Sequence, residues 1–274
     1  MNAIPFYKMS GAGNDFIIID NRKQIVADTQ LSNFIANVCR RKMSAGADGL
    51  ILIEASDKFD FRWRFFNSDG SHAEMCGNGA RCAARFAQVS GIAGTTLSFE
   101  TEAGVVSARI NEDRVKVRMP DPSGLKLAYP LKLSDGSLEI SSINTGVPHV
   151  VVMVEQVANL DVVTLGREIR RHQIFAPAGT NANFVQRISG NAIEIRTYER
   201  GVEDETLACG TGAIASAIIS ASRFKMNSPV DVKTRSGAYL TIHFDAAAGQ
   251  FNEIYMEGDA RIIYTGELQP DAWQ

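Results

Sequence analysis

Two short segments carry residues that could do chemistry: Cys76-Gly77-Asn78-Gly79-Ala80 and Cys209-Gly210-Thr211-Gly212-Ala213. Each sets a thiol ahead of glycines and a run of small residues that reads as the start of a helix. A cysteine there sits at the positive end of the helix macrodipole, which lowers the thiol pKa and makes a thiolate accessible. The glycines let a ligand approach the backbone, and the first backbone N–H groups form a site for an anion such as a carboxylate. Each segment therefore supplies a thiol beside an anion cradle.

The two segments lie 133 positions apart in a chain of 274 residues. The same ungapped offset sets Ala45-Gly46-Ala47-Asp48 on Ala178-Gly179-Thr180-Asn181 and Phe65-Phe66-Asn67 on Tyr198-Glu199-Arg200. It also sets Gly13–Ile19 on Gly146–Val152. Such a register reads as a tandem duplication. A pseudo-twofold duplication can place the two thiols face to face across a cleft. One thiolate then removes an α-proton while the opposite thiol delivers a proton to the other face, and helix N-termini aimed at the α-carboxylate stabilise the developing charge. The expected activity is a cofactor-independent racemase or epimerase acting at an α-carbon.

Each half repeats one layout. A glycine-rich turn leads into a β-branched run, Phe16 to Asp20 or His149 to Val154. Helical segments follow at Leu31 to Lys42 and Leu165 to Gln173, then strands, the cysteine loop with its helix, and further strands. Phe59 to Phe66 alternates with period two, as a strand does. Gly210 to Ser222 has no charged residue, so its helix is expected to be buried on every side. The simplest architecture wraps the strands of each half around its own central helix. The expected fold is α+β, with two pseudosymmetric repeat domains, each a mixed β-sheet closed around a central apolar helix. Domain one spans 1–120, completed by the segment 265–274, and domain two spans 121–264. Pro120-Asp121-Pro122-Ser123-Gly124 reads as the linker.

Composition excludes other classes. Apolar residues make up 45% and charged residues 22%, so the chain can bury a core and is not disordered. A net charge of −3 argues against a nucleic-acid partner. Arg40-Arg41-Lys42, the strongest basic cluster, reads as a solvated helix end. The longest uncharged stretch, Thr206 to Ser222, is about 17 residues and too polar for a membrane span, and Met1 to Ser10 lacks a signal-peptide core. Four cysteines are too sparse for a disulfide scaffold, which points to a cytoplasmic protein with reduced thiols. Cys39 and Cys82 read as small core residues. The cysteines and the four histidines lack zinc-ligand spacing, so no metal is expected. Gly11-Ala12-Gly13 lacks the third glycine of a dinucleotide fingerprint, and the cysteine loops lack a P-loop lysine.

The chain resembles the diaminopimelate epimerase family. The resemblance rests on Gly11–Phe16, Gly46–Gly49, Phe66–Ser71, Met75–Cys82, Thr145–His149, Thr180–Phe184, Tyr198–Gly201 and Ala208–Ala213, which span nearly the whole chain in order. It implies interconversion of LL- and meso-2,6-diaminoheptanedioate without pyridoxal phosphate or metal, in lysine and peptidoglycan biosynthesis, by a cytoplasmic homodimer. It implies that Cys76 and Cys209 are the acid–base thiols and that Gly77, Asn78, Gly210 and Thr211 hold the α-carboxylate. Asn14, Asn67, Asn181, Glu199 and Arg200 would contact substrate, with His149 and Glu199 at the reacting end. Val147 stands where the family often has asparagine, which removes one polar substrate contact, and Ser10 stands where many members have histidine.

The cysteines match between halves while Asn14/Val147, Asp48/Asn181 and Asn67/Arg200 do not. Symmetric thiols with asymmetric walls suit a substrate whose second end is pinned; Arg200 can grip a distal carboxylate and Glu199 an ammonium. Two alternatives stay open: a racemase for proline, hydroxyproline or histidine on the same fold, and a thiol redox switch or anion-binding module. Facing thiols should close a disulfide as a side reaction on oxidation. Mild oxidant is expected to remove two of the four titratable thiols together with activity, and dithiothreitol to restore both. A count that stays at four, with activity untouched, contradicts this.

Overall fold

The structure is a computed structural model that describes residues 3–247 and 249–274. Its elements run β1 (Ile4–Gly11), β2 (Asn14–Asp20), α1 (Leu31–Val38), β3 (Gly49–Glu54), β4 (Phe61–Asn67), α2 (Gly77–Val89), β5 (Thr96–Thr101), β6 (Gly104–Asn111) and β7 (Arg114–Arg118). Then come β8 (Ser123–Leu133), β9 (Gly136–Asn144), β10 (Pro148–Met153), α3 (Val162–Arg170), β11 (Asn181–Ser189), β12 (Ala192–Glu199) and β13 (Asp204–Thr206). The chain ends with α4 (Gly210–Phe224), β14 (Val230–Lys233), β15 (Tyr239–Ala247), β16 (Gln250–Asp259) and β17 (Arg261–Leu268). It divides into two compact units, residues 1–117 with 258–274 and residues 118–257. The return to the first unit falls at 258 rather than 265, because β17 pairs with β1 from Ile4 to Ser10.

Each unit is a mixed sheet. In the first, β17, β1 and β2 run antiparallel, β2 pairs parallel with β3, β3 antiparallel with β4, and β4 parallel with β5. In the second, β8, β9 and β10 run antiparallel, β10 pairs parallel with β11, β11 antiparallel with β12, and β12 parallel with β14. The same alternation of parallel and antiparallel pairs recurs, with β8 standing where β17 stands. The expected linker Pro120–Gly124 lies just past the boundary between the units at 117/118; its first residues join β7 to β8, and its last two already belong to β8, which pairs with β9 in the second sheet.

The uniform offset of the repeat does not run through every strand. Gly49 faces Asn67, so a constant 133-residue shift would set Ala182 opposite Arg200; Ala182 instead faces Tyr198. A slip of two residues keeps every side chain on its own face, so the core tolerates it.

Composition explains which helix goes inside. Every residue of α4 from Gly212 to Ala221 is buried, and the helix packs against β8 to β12, β14 and β15. Its glycines, alanines and serines let strands approach on all sides. In the first unit, α2 packs on β1, β2, β3 and β6. The alternation in β4 turns Phe61, Trp63 and Phe65 into the interior and Arg62 and Arg64 outward. Gly79 of α2 leaves room for Trp63 and Ile51, which a Cβ there would meet at 3.4 and 3.3 Å. The amphipathic helices α1 and α3 cover the outer faces, α1 over Ile17, Ile19, Leu50 and Leu52, α3 over Val150, Val152 and Phe184.

Two helix boundaries differ from the sequence reading. α1 stops at Val38, because Gly46 and Ala47 turn back to donate to the carbonyls of Val38 and Cys39. The basic cluster after it is not simply solvated, since Arg41 reaches Asp15 and Asp48 at 2.6 and 2.8 Å. α3 starts earlier, at Val162, capped by Asp161, whose carboxylate accepts from the Thr164 N–H at 3.0 Å. Packing of α3 on β12 leaves no room at Gly166, where a Cβ would lie 2.3 Å from the Tyr198 Cβ. Gly166→Ala should cost about 1–3 kcal/mol in urea unfolding despite the better helix propensity of alanine. Gly94→Ala, at a site with nothing within 4 Å, should change stability by less than about 0.5 kcal/mol.

Candidate functional site

Cys76 and Cys209 hold the same position in their units. Each is the N-cap of its central helix, with extended backbone at φ −144° and −120°. The helices begin at the next residue, where Ala80 N–H donates to the Cys76 carbonyl at 2.8 Å and Ala213 N–H to that of Cys209 at 2.9 Å. The amides of Gly77 and Asn78, and of Gly210 and Thr211, are first-turn donors with no carbonyl one turn back inside the helix. Both thiols therefore sit beside backbone positive charge. Gly79 N–H also donates to the Cys76 sulfur at 3.5 Å, whereas the Cys209 sulfur lies 3.5 Å from the Thr211 hydroxyl.

In the first unit a chain of side chains orients the groups around Cys76. Arg81, fully buried, donates from Nη2 to Asn78 Oδ1 at 3.0 Å and from Nε to the Asp259 carbonyl at 3.2 Å. Asn78 Nδ2 donates to Asn14 Oδ1 at 3.5 Å, and Asn14 Nδ2 donates to Asp48 at 2.7 Å. Arginine only donates and an ionised aspartate only accepts, so the two ends settle the orientation of both amides. Asn14 Oδ1 is thereby left facing the Cys76 thiol, which donates to it at 3.7 Å. Asp48 and Asp15 are held by Arg41, and Asp15 also by Lys8 at 2.7 Å. Burial pushes the Asp15 carboxyl up, but the hydrogen bonds and charges of Arg41 and Lys8 outweigh it and leave the group below its ordinary range. Asn67 stands apart from this chain: its amide is exposed and donates within its own turn to Ser71 Oγ at 3.0 Å.

The second unit builds its surroundings differently. Asn181 Nδ2 donates to the Pro148 carbonyl at 3.0 Å, and its Oδ1 accepts the Arg200 N–H at 2.8 Å. The buried amide fixes the backbone from which the Glu199 and Arg200 side chains project. Glu199 accepts from the Thr206 hydroxyl at 2.9 Å. Burial pushes its carboxyl above the usual range, opposed by that bond. Thr145 reaches the first turn of α4, donating to the Thr211 carbonyl at 3.0 Å. His149 is 1% exposed, and burial, aided by the Arg200 charge, holds its pKa down to about 3.

Cys39 and Cys82 are core residues whose thiols burial pushes up to about 12, so neither ionises near neutrality. Among the described residues no three His, Cys, Asp or Glu side chains group to hold a metal ion, and no helix is long and apolar enough to cross a membrane. The sequence reading passed over Arg81, Asp48 as a partner of Asn14, and Asn183. Arg81 and Asn183 had a signal: a charged residue in a helix of small residues, and an amide within the apolar run Ala182 to Val185.

The sequence model of one family, described as diaminopimelate epimerase, matches residues 6–124 and 141–263. The diaminopimelate epimerase of Aquifex aeolicus is 47% identical over 97% of this chain and 98% of its own length. That of Archaeoglobus fulgidus is 41% identical over 97% and 96%. Among solved structures, a PhzF-family phenazine biosynthesis protein from Bacillus anthracis superposes with a TM-score of 0.72 at 16% identity, covering 98% of this chain and 100% of that one. A probable proline racemase from Agrobacterium radiobacter K84 superposes with a TM-score of 0.70 at 16% identity, covering 98% and 95%. At that identity the likeness is one of fold.

The Glu199 carboxyl gives a signed prediction. Its folded pKa lies above the ordinary 4.5, so the fold binds this proton more tightly than the unfolded chain does. The associated stability is present at low pH and is lost as pH rises through the folded pKa. Glu199→Gln should therefore be more stable than the parent at pH 8, with the advantage gone at pH 4, in denaturant unfolding at the two pH values.

Proposed function

The chain belongs to the diaminopimelate epimerase family, and from that premise we propose that it interconverts LL- and meso-2,6-diaminoheptanedioate by a two-base thiol mechanism. The observation that carries the proposal is the recurrence of a cysteine N-cap on the central helix of each unit. An α-proton is a very weak acid, and its removal builds charge on the adjoining carboxylate. The first-turn amides at Gly77 and Asn78, and at Gly210 and Thr211, supply dipoles to hold that charge. Cys76 and Cys209 take the roles of base and acid, and exchange them in the reverse direction. Such a scheme needs no electron sink beyond the amide donors, so we assign no cofactor.

Asymmetry in the remaining groups suits a substrate with a fixed second end. Arg200 and Glu199 in one unit answer to a carboxylate and an ammonium, while Asn14, Asn78 and Asn181 offer neutral amides, and Asn67 a further contact from its turn. We read the enzyme as a cytoplasmic homodimer acting on this small amino acid in lysine and peptidoglycan synthesis, with neither a nucleic-acid nor a membrane partner.

The test is proton NMR of the protein with the LL substrate in deuterated, reducing buffer without added cofactor. Loss of the α-proton signal with appearance of the meso isomer is expected. Cys76→Ala and Cys209→Ala should each lower turnover at least about a thousandfold. Parent-like turnover in either variant excludes the two-base scheme, and exchange of proline without exchange of diaminoheptanedioate reassigns the substrate.

A further inference from the structure

Asn183 on β11 is fully buried beside His149 of the neighbouring parallel strand β10. Its amide is oriented by the Val150 carbonyl, and the Thr197 hydroxyl suits the same orientation. Nδ2 lies 2.8 Å from the Val150 carbonyl, which can only accept, and Oδ1 receives the Thr197 hydroxyl at 3.0 Å. Turning the amide over would set oxygen against oxygen at Val150. The second Nδ2 hydrogen is left for His149 Nδ1, 3.1 Å away. Nδ1 must then present its lone pair, so the single proton of the neutral ring is on Nε2. Nε2 is itself buried with no hydrogen-bond partner among the described residues. A buried donor left unmade is costly, and it calls for an acceptor brought from outside the fold.

We infer that Asn183 is a positioning residue that holds His149 as the neutral Nε2–H tautomer, so that the ring meets the bound amino acid as a hydrogen-bond donor and not as a base. The donor role rests on the function proposed above; the tautomer does not. Burial and the Arg200 charge keep the ring uncharged, and a second proton could enter only at Nδ1, where Asn183 would have to turn its oxygen inward against the Val150 carbonyl. Space for the amide is built in: a Cβ on Gly212 would lie 2.3 Å from Asn183 Oδ1, so the glycine admits the amide beneath the first turn of α4. The first unit has no such node, since the corresponding strand carries the buried Phe16 in place of the histidine.

Long-range proton–nitrogen correlation spectra of the histidine-labelled protein read the tautomer directly, with His149→Gln identifying the signal. We expect Nε2 protonated, Nδ1 unprotonated, and no change between pH 9 and pH 5. A proton on Nδ1, or a ring that titrates in that interval, overturns the inference, and this measurement needs neither substrate nor a variant of Asn183. In Asn183→Asp, carboxylate acceptors replace the amide donor, so the ring proton should move to Nδ1. In that variant kcat should fall about tenfold to a hundredfold with KM changed less. Parent-like kcat in a folded variant whose ring has switched removes the donor role. If the parent shows the Nε2–H ring but no exchange of diaminoheptanedioate, the proposed activity fails while the positioning by Asn183 stands.

Discussion

Burying a helix on every side is the constraint on which the rest depends. A helix enclosed by strands cannot satisfy its N-terminal amides with water along its flank, so those amides must meet whatever lies at its open end. Enclosure also demands small side chains, and α4 from Gly212 to Ser222 is made of glycine, alanine, serine and isoleucine. The same arrangement that builds the core thus leaves a patch of positive backbone charge with a cysteine as its first side chain. Core and chemistry are here one structural solution, used once in each unit.

The two units then treat the surroundings of that cysteine in opposite ways. Around Cys76 the polar groups are ordered by full charges, with Arg81 at one end and the Arg41–Asp48 pair at the other, and the amides of Asn78 and Asn14 relay that polarity between them. Around the N-terminus of α4 the ordering is by neutral groups: backbone carbonyls set Asn181 and Asn183, Asn183 sets His149, and Thr145 ties down the first turn. Duplicated sheets can thus carry the same cysteine N-cap and still surround it with different polar groups, because the buried residues that set those groups differ between the units.

Pairing also explains where the chain must cross. Each sheet needs an antiparallel strand beside the one preceding its first parallel pair. In the second unit β8 supplies it by pairing with β9; in the first, β17 supplies it by pairing with β1. A repeat compared only along the sequence sees similar halves and places the boundary at a proline-rich turn. The hydrogen-bond ladders place it by which edge would otherwise stay open.

What the sequence by itself determined is the part written in periodicity and composition. The cysteine loops, the uncharged run after Cys209, the alternation in Phe59–Phe66 and the repeat offset sufficed for two sheets about two buried helices, with thiols as the N-caps. Apolar burial follows residue type locally, so these features are readable one segment at a time. Only the tertiary structure decided the return of β17, the two-residue slip between the β3–β4 and β11–β12 ladders, and the partners of Arg81, Asp48 and Asn183. Those depend on contacts between residues as far apart as Arg81 and Asp259, or His149 and Asn183, and a polar side chain carries no mark of which distant donor or acceptor will complete it.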